Sequence, residues 1–221
     1  MEGIVLHERI LENKDWATLV FTLCLTLIVI TKTAFENRFN EFTRLLFSDK
    51  YIKIYRENTS VLAWFTLLLF IVQLVSFSFF ILYLMSYFGM TSKSDWVMYI
   101  RIITFLSYFI LAKYLFEKII ATSFNVEDFK ENFDMLKISY RTYMGLLLVP
   151  VTLVLYYNNE PSLLIIYGII GFLLFSNVLL YLKSLKIYQT LVLGKLFYFI
   201  LYLCTLEIAP YYFLYYWITK K

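Results

Sequence analysis

Apolar residues in this sequence are gathered into six long blocks, which polar and charged segments separate. A helix rises about 1.5 Å per residue, so about 20 apolar residues cross the roughly 30 Å of hydrocarbon in a bilayer. The pattern predicts an all-α protein, a polytopic transmembrane bundle of about six spans that forms one domain over residues 1–221. Five spans is the alternative, because the first block is short and the last carries charges. The predicted spans are 16–33, 61–88, 96–121, 140–157, 162–182 and 191–217.

The second block carries the strongest signal, because residues 58–92 contain no formal charge. A span needs about 20 of these residues, so the excess indicates a tilted helix or one that extends past the headgroups. Composition agrees with a membrane class, since 61% of residues are hydrophobic and 16% are charged. Soluble domains have about 45–50% apolar residues.

Basic residues are distributed unevenly between the two sides that six spans would define. The segments after the first, third and fifth blocks hold fourteen of the 20 Lys and Arg residues. Cytoplasmic loops of membrane proteins are enriched in Lys and Arg. We therefore expect a multi-pass protein of the bacterial cytoplasmic (inner) membrane, with the basic segments in the cytoplasm and both termini in the periplasm.

Two of the basic segments, 35–56 and 125–141, have the spacing of amphipathic helices. We expect two cytoplasmic connector helices that lie along the membrane surface or against the bundle. In the first, Arg38, Glu41 and Arg44 fall outside the apolar stripe, where the cations would attract anionic lipid. The alternative role for both segments is contact with other membrane or cytoplasmic proteins. Their apolar stripes are Phe35, Phe39, Phe42 and Leu46, and Val126, Phe129, Phe133 and Leu136.

Residue patterns for conventional catalysis are missing. His7 is the only histidine, and the two cysteines, Cys24 and Cys204, lie inside apolar blocks. The sequence also lacks a Gly-rich phosphate loop and a nucleic-acid motif. An acidic cluster is interspersed with lysines, which indicates a solvated helix face more than a cation site. We expect no enzyme activity, no cofactor, no metal and no nucleic-acid partner. The cluster consists of Glu127, Asp128, Glu131 and Asp134.

Charges inside the spans are candidates for function, because each costs about 2.5–3.5 kcal/mol at the bilayer centre. Glu207 and Arg101 have comparable predicted depths, so we hypothesise that they form an ion pair. The functional alternative for Glu207 is a proton or cation relay. Near the other boundary, Glu117 and Lys195 are placed to pair in the same way. Lys113, one turn from Glu117, either joins that pair or extends to the headgroups.

Uncharged polar residues follow one face of the second block. Interhelical hydrogen bonds from such residues are worth about 0.6 kcal/mol each, so they indicate helix packing more often than a substrate path. Asn177 in the fifth block offers another buried amide. Gly168 and Gly171 permit a close helix approach, and Pro150 predicts a bend in the fourth span. The polar face consists of Thr66, Gln73, Ser76, Tyr83 and Tyr87.

Several segments resemble an uncharacterised family of Bacteroidota integral membrane proteins, a domain of unknown function. The resemblance runs from about residue 16 to residue 216 and implies a bacterial inner-membrane location. It supplies no catalytic or binding residues. The segments that carry it are 35–39, 49–55, 64–65, 72–73, 123–129, 139–141 and 147–150.

Two functions agree with the sequence. The first is a non-enzymatic inner-membrane protein that acts as an accessory or scaffolding component of an envelope process. The second is a small proton- or ion-coupled transporter that uses Glu207, Arg101 and the polar face around Gln73. The first is favoured, with the amphipathic segments as its partner surface. An intramembrane enzyme ranks third, because the expected nucleophile–base pairs are missing.

Overall fold

The computed structural model describes residues 15–45, 51, 59–123, 127–158 and 163–187, and its regular structure there is entirely helical. The predicted sixth span, 191–217, lies outside the described residues. The described residues form six helices, numbered here in chain order. They are α1 (Asp15–Ala34), α2 (Glu36–Thr43), α3 (Thr59–Tyr87), α4 (Trp96–Ser123), α5 (Glu127–Tyr157) and α6 (Leu163–Ile187).

Four of these helices are long and apolar enough to cross a membrane, which confirms the predicted fold class. They are α1, α3, α4 and α5, and α6 adds a shorter apolar run, Leu163–Leu179. Large apolar side chains are exposed along α1, α4 and α6, as expected of surfaces that face hydrocarbon. The predicted bounds of the first five spans fall within a few residues of the helix ends, except for the start of α5.

Helix α3 lies at the centre of the bundle, packed against α5, α4 and α1. Its buried face carries Val72, Gln73 and Phe79. The helix ends at Tyr87, close to the predicted bound at residue 88, and Gly89 just beyond it has a φ of 71°. The Met90 N–H donates to the Met85 carbonyl at 2.9 Å, a helix-terminating bond that a left-handed residue such as glycine allows.

Aromatic side chains close one end of the bundle, which we call the Trp16 end. The Phe79 ring stacks on Phe21, with centroids 4.1 Å apart, and lies 4.5 Å from Tyr99 and 5.6 Å from Tyr156. The Trp16 indole donates to the Ser94 carbonyl at 3.1 Å. These contacts bring the first turn of α1, the last turns of α3 and α5 and the first turn of α4 to the same level.

The other end, which we call the basic end, contains α2. Helix α2 packs on the bundle through Phe39 and Phe42, as one of the two predicted alternatives requires. The second predicted connector is not a separate helix. Residues 127–139 continue into the span as part of α5, because no glycine or proline interrupts the sequence before Gly145. Helix α5 also continues through Pro150, and the predicted bend there stays a prediction.

Candidate functional site: buried polar groups of the bundle

An ion pair joins α4 to α5 at the basic end. The Lys137 ammonium donates to a Glu117 carboxylate oxygen at 2.9 Å, and the two side chains are 8% and 4% exposed. Lys113, one turn from Glu117, is also buried. Its burial disagrees with the predicted alternative in which its side chain extends to the headgroups. A buried ion pair is held in place by the high cost of leaving either charge alone.

The Glu117–Lys137 pair lies near the base of a helical hairpin. We use "α4–α5 hairpin" for residues 117–123 and 127–137. Helices of 28 and 31 residues are about 42 and 46 Å long, which exceeds the roughly 30 Å of hydrocarbon. Helix α4 begins and α5 ends at the Trp16 end, so the α4–α5 hairpin lies at the basic end.

Arg38 is buried, contrary to the expectation that it faces lipid. Its guanidinium carbon lies 4.6 Å from the centre of the Phe65 ring, and its Nη2 donates to the Tyr51 hydroxyl at 3.2 Å. Guanidinium groups are weakly hydrated and planar, so an aromatic ring can cover them at modest cost. Arg38 therefore fastens α2 to α3.

Two tyrosines of α5 hold the end of α2. The Tyr140 hydroxyl donates to the Leu45 carbonyl at 3.2 Å, and the Tyr143 hydroxyl donates to the Thr43 carbonyl at 3.3 Å. The last carbonyls of a helix have no partner within it. Tyr140 and Tyr143 are one turn apart on α5, so together they fix the position of α2 on the bundle.

About midway along α3, this helix is in close contact with α5. The Thr142 hydroxyl donates to the Gln73 side-chain oxygen at 3.1 Å, and both residues are buried. A Cβ atom added to Gly145 would lie 2.8 Å from the Gln73 Cα. The sequence indicated Gln73 but not Gly145 or Thr142, because spacing along one helix does not show which residues a second helix brings opposite.

The polar face of α3 continues toward the Trp16 end as buried hydroxyls. Ser76 and Tyr83 are 1% and 2% exposed, and within the described part of the chain their hydroxyls lack a hydrogen-bond partner. Thr66 and Tyr87, the ends of the predicted face, are half-buried and exposed. The Lys93 ammonium lies 5.3 Å from the centre of the Tyr83 ring. Buried hydroxyls of this kind are the sites where ordered water or a polar ligand binds.

At the Trp16 end, Arg101 lies exposed on α4, close enough to influence Asp95. Asp95 caps α4, since its carboxylate accepts the Met98 N–H at 3.0 Å and the Thr91 hydroxyl at 3.1 Å. The Met98 hydrogen bond is the main cause of a pKa below the usual value for this carboxyl, and the Arg101 charge acts in the same direction. Asp95 is a polar partner near Arg101 that sequence reasoning missed.

Two of the predicted ion pairs involve residues that the structure does not describe. Glu207 and Lys195 lie outside the described residues, so the pairs Glu207–Arg101 and Glu117–Lys195 stay predictions. Asn177 is exposed on α6, and its amide donates to the Leu173 carbonyl of the same helix at 2.9 Å. In the described structure it is therefore not the buried interhelical amide that we predicted.

Comparison with protein families identifies the chain. The model of a domain of unknown function, DUF4271, matches residues 17–218. The chain belongs to the DUF4271 family. No curated protein and no solved structure matches it. Membership thus brings no known role to the buried polar groups, and their chemistry has to be read from the geometry.

The DUF4271 bundle uses the described polar side chains mainly to join helices. Glu117 binds Lys137, Thr142 binds Gln73, and Arg38 binds Tyr51. Within the described ranges, the side chains of His, Cys, Asp and Glu do not form a group that could hold a metal ion. The arrangement can therefore position helices and present surfaces, and the hydroxyls of Ser76 and Tyr83 are candidates for binding water or a small polar ligand.

Proposed function

We propose that this DUF4271 protein is a non-enzymatic accessory or scaffolding component of an envelope process in the bacterial inner membrane. It would present a platform to other proteins on the cytoplasmic side. The platform consists of the outward face of α2 and the α4–α5 hairpin. The observation that carries the proposal is the fixed position of both elements against the bundle at the basic end.

Helix α2 supports this role because its apolar face is already occupied. Phe39 and Phe42 are buried in the bundle, while Glu36, Asn37 and Asn40 are exposed. An amphipathic helix that binds the membrane surface needs its apolar face free for lipid. The polar face of α2 is better suited to water or to a protein partner.

The α4–α5 hairpin supports the same role through its length and its fixed base. Residues 127–136 continue about 15 Å beyond Lys137 in a single helix. The buried Glu117–Lys137 contact holds the base, and Ala121 is buried further out. A rigid element that extends beyond the bilayer is accessible to a soluble partner at little cost in conformational entropy.

Co-purification from native membranes in mild detergent tests this proposal. We expect a second protein to be recovered in a fixed ratio, and Asn40→Arg on α2 or Thr122→Arg on α4 to reduce that recovery several-fold. Ser92→Arg is the matched control, because Ser92 is exposed at the opposite end of the bundle. Recovery of the protein alone, or an equal loss with all three variants, would contradict the proposal.

A small proton- or ion-coupled transporter is the second candidate, with Glu207, Arg101 and Gln73 along its path. The buried hydroxyls of Ser76 and Tyr83 favour it, since a hydrated path would satisfy both. The close contact between Gln73 and Gly145 opposes it, because it leaves no room for a solute between α3 and α5 at that level. Cysteine accessibility at positions 73, 76 and 207 distinguishes the two. A carrier predicts labelling by a small water-soluble thiol reagent, and a scaffold predicts protection.

A further inference from the structure

An apolar groove lies between α5 and α6, with a volume of about 240 Å³. On one side it is lined by Leu147, Leu148 and Val151 of α5, and on the other by Ile165, Gly168 and Phe172 of α6. Every one of these residues is apolar, and the groove lies at the depth of the membrane core. Its occupant is therefore another apolar segment or lipid.

The floor of the groove allows a helix backbone to come close. A Cβ atom added to Gly168, which lines the groove, would meet no described atom within 4 Å. Small residues let membrane helices approach until their backbones are in van der Waals contact, which is the main force that joins them. Gly145 shows this contact already made between α3 and α5, whereas Gly168 is still open.

The chain itself supplies a segment of the right length at the right place. In the sequence, eight residues, 183–190, separate the predicted fifth span, 162–182, from the apolar block 191–217. A connection of so few residues places two antiparallel helices side by side. We propose that the segment 191–217 occupies the groove between α5 and α6. In that position it would contact two helices, whereas on the opposite face of α6 it would contact one.

The residues for a cross-linking test are chosen at equal distances from the basic end of the bundle. Cys204 lies 13 residues into the block, Phe172 lies 15 residues before Ile187, and Leu174 lies 13 residues before it. At about 1.5 Å per residue, all three are about 20 Å from the basic end. Phe172 lines the groove, whereas Leu174, two residues on, points away from it and is 63% exposed. Phe172 and Leu174 therefore form a matched pair.

Cross-linking to the native Cys204 is the experiment. In a Cys24→Ala background, Phe172→Cys or Leu174→Cys is treated in membranes with a short bis-maleimide, and the intramolecular product is quantified by mass spectrometry. We expect at least a several-fold higher yield from Phe172→Cys. Equal yields, a higher yield from Leu174→Cys, or no intramolecular product from either would overturn the proposal. A product between two chains would assign the groove to a second copy, and would also overturn it.

A second pair of cysteines tests the proposal independently, in case a variant at position 172 does not fold. Gly168→Cys with Ile208→Cys, in a background in which Cys24 and Cys204 are replaced by alanine, places both thiols about 25–28 Å from the basic end. Tyr167→Cys with Ile208→Cys is its control, because Tyr167 is 59% exposed and does not line the groove. The proposal requires the Gly168 pair to give the higher yield. The proposed platform at the basic end does not depend on this result.

Discussion

Gly145 sets the distance between the two central helices. Because Gly145 has no side chain, α5 approaches α3 very closely. A Cβ atom added to Gly145 would lie 2.8 Å from the Cα of Gln73. The Thr142–Gln73 hydrogen bond then forms across the same contact. At this level of the bundle, one glycine determines both the packing and the polar pairing.

Gly145→Ala should destabilise the protein by about 1–3 kcal/mol, because the added methyl group forces the backbones of α3 and α5 apart. Thermal unfolding in detergent measures the effect. Val154→Ala is the control, since Val154 is on the same helix and 61% exposed. A Gly145→Ala variant as stable as the wild type would show that the helices do not approach so closely.

Glu117→Gln or Lys137→Gln should each lower stability by about 3–5 kcal/mol, because each breaks a buried ion pair between α4 and α5. The exchange Glu117→Lys with Lys137→Glu should recover part of the loss. Lys118→Gln, next to Glu117 but exposed, should change little. Denaturant titration in detergent gives the four values. If the exchange variant is no more stable than the single variants, Glu117 and Lys137 do not interact.

Asp95→Asn should destabilise α4 in a pH-dependent way. The pKa of Asp95 is lowered in the fold, so its carboxylate stabilises the protein above the usual pKa of about 3.9, and this contribution is lost as the pH falls through the lower folded value. The difference between wild type and Asp95→Asn should be constant near pH 7 and shrink below about pH 4. Thermal unfolding of both proteins, with Ser92→Ala as control, tests this. A pH-independent difference would contradict it.

Sequence reasoning at this scale identified residue types better than partners. It selected Gln73 and Glu117 because polar atoms in an apolar block are costly, and such residues can be recognised from the sequence alone. It missed Lys137, Thr142 and Gly145, because the crossing of α3, α4 and α5 decides which residues meet. Arg38 was placed on the wrong face, since an aromatic pair on other elements makes its burial favourable.

At the scale of elements, hydrophobic block length predicted the helices closely. Helix α3 ends at Tyr87, one residue from the predicted bound, and Gly89 beyond it tolerates the positive φ that stops a helix. The prediction that residues 125–141 form a separate connector helix was wrong. A change from an amphipathic to a uniformly apolar pattern does not require a break in the helix. Helix α5 accommodates both patterns, amphipathic outside the membrane and apolar within it.

The docking of α2 should depend on the guanidinium of Arg38 and not only on its charge. Arg38→Lys keeps the charge but loses the planar group that lies against Phe65, so we expect a loss of about 1–2 kcal/mol. Faster proteolysis within residues 36–45 should accompany it. Arg44→Lys, on an exposed residue at the end of α2, is the control. Equal behaviour of the two variants would exclude a specific role for Arg38.

At the scale of the whole molecule, the two ends of the bundle differ in construction. The Trp16 end is closed by stacked rings, and the basic end carries α2 and the α4–α5 hairpin. The composition and block pattern were sufficient to predict a polytopic helical membrane protein. They could not predict how the helices are arranged around α3, because almost every face of an apolar helix is compatible with lipid.

We propose that the basic end, with its platform, faces the cytoplasm. Single cysteines in a background without Cys24 and Cys204, treated with a membrane-impermeant maleimide in intact cells, test it most directly. Asn40→Cys on α2 and Thr122→Cys on α4 should be labelled only after the inner membrane is permeabilised. Ser92→Cys, at the Trp16 end, should be labelled once the reagent reaches the periplasm. Labelling of positions 40 and 122 before permeabilisation, with position 92 protected, would contradict the account.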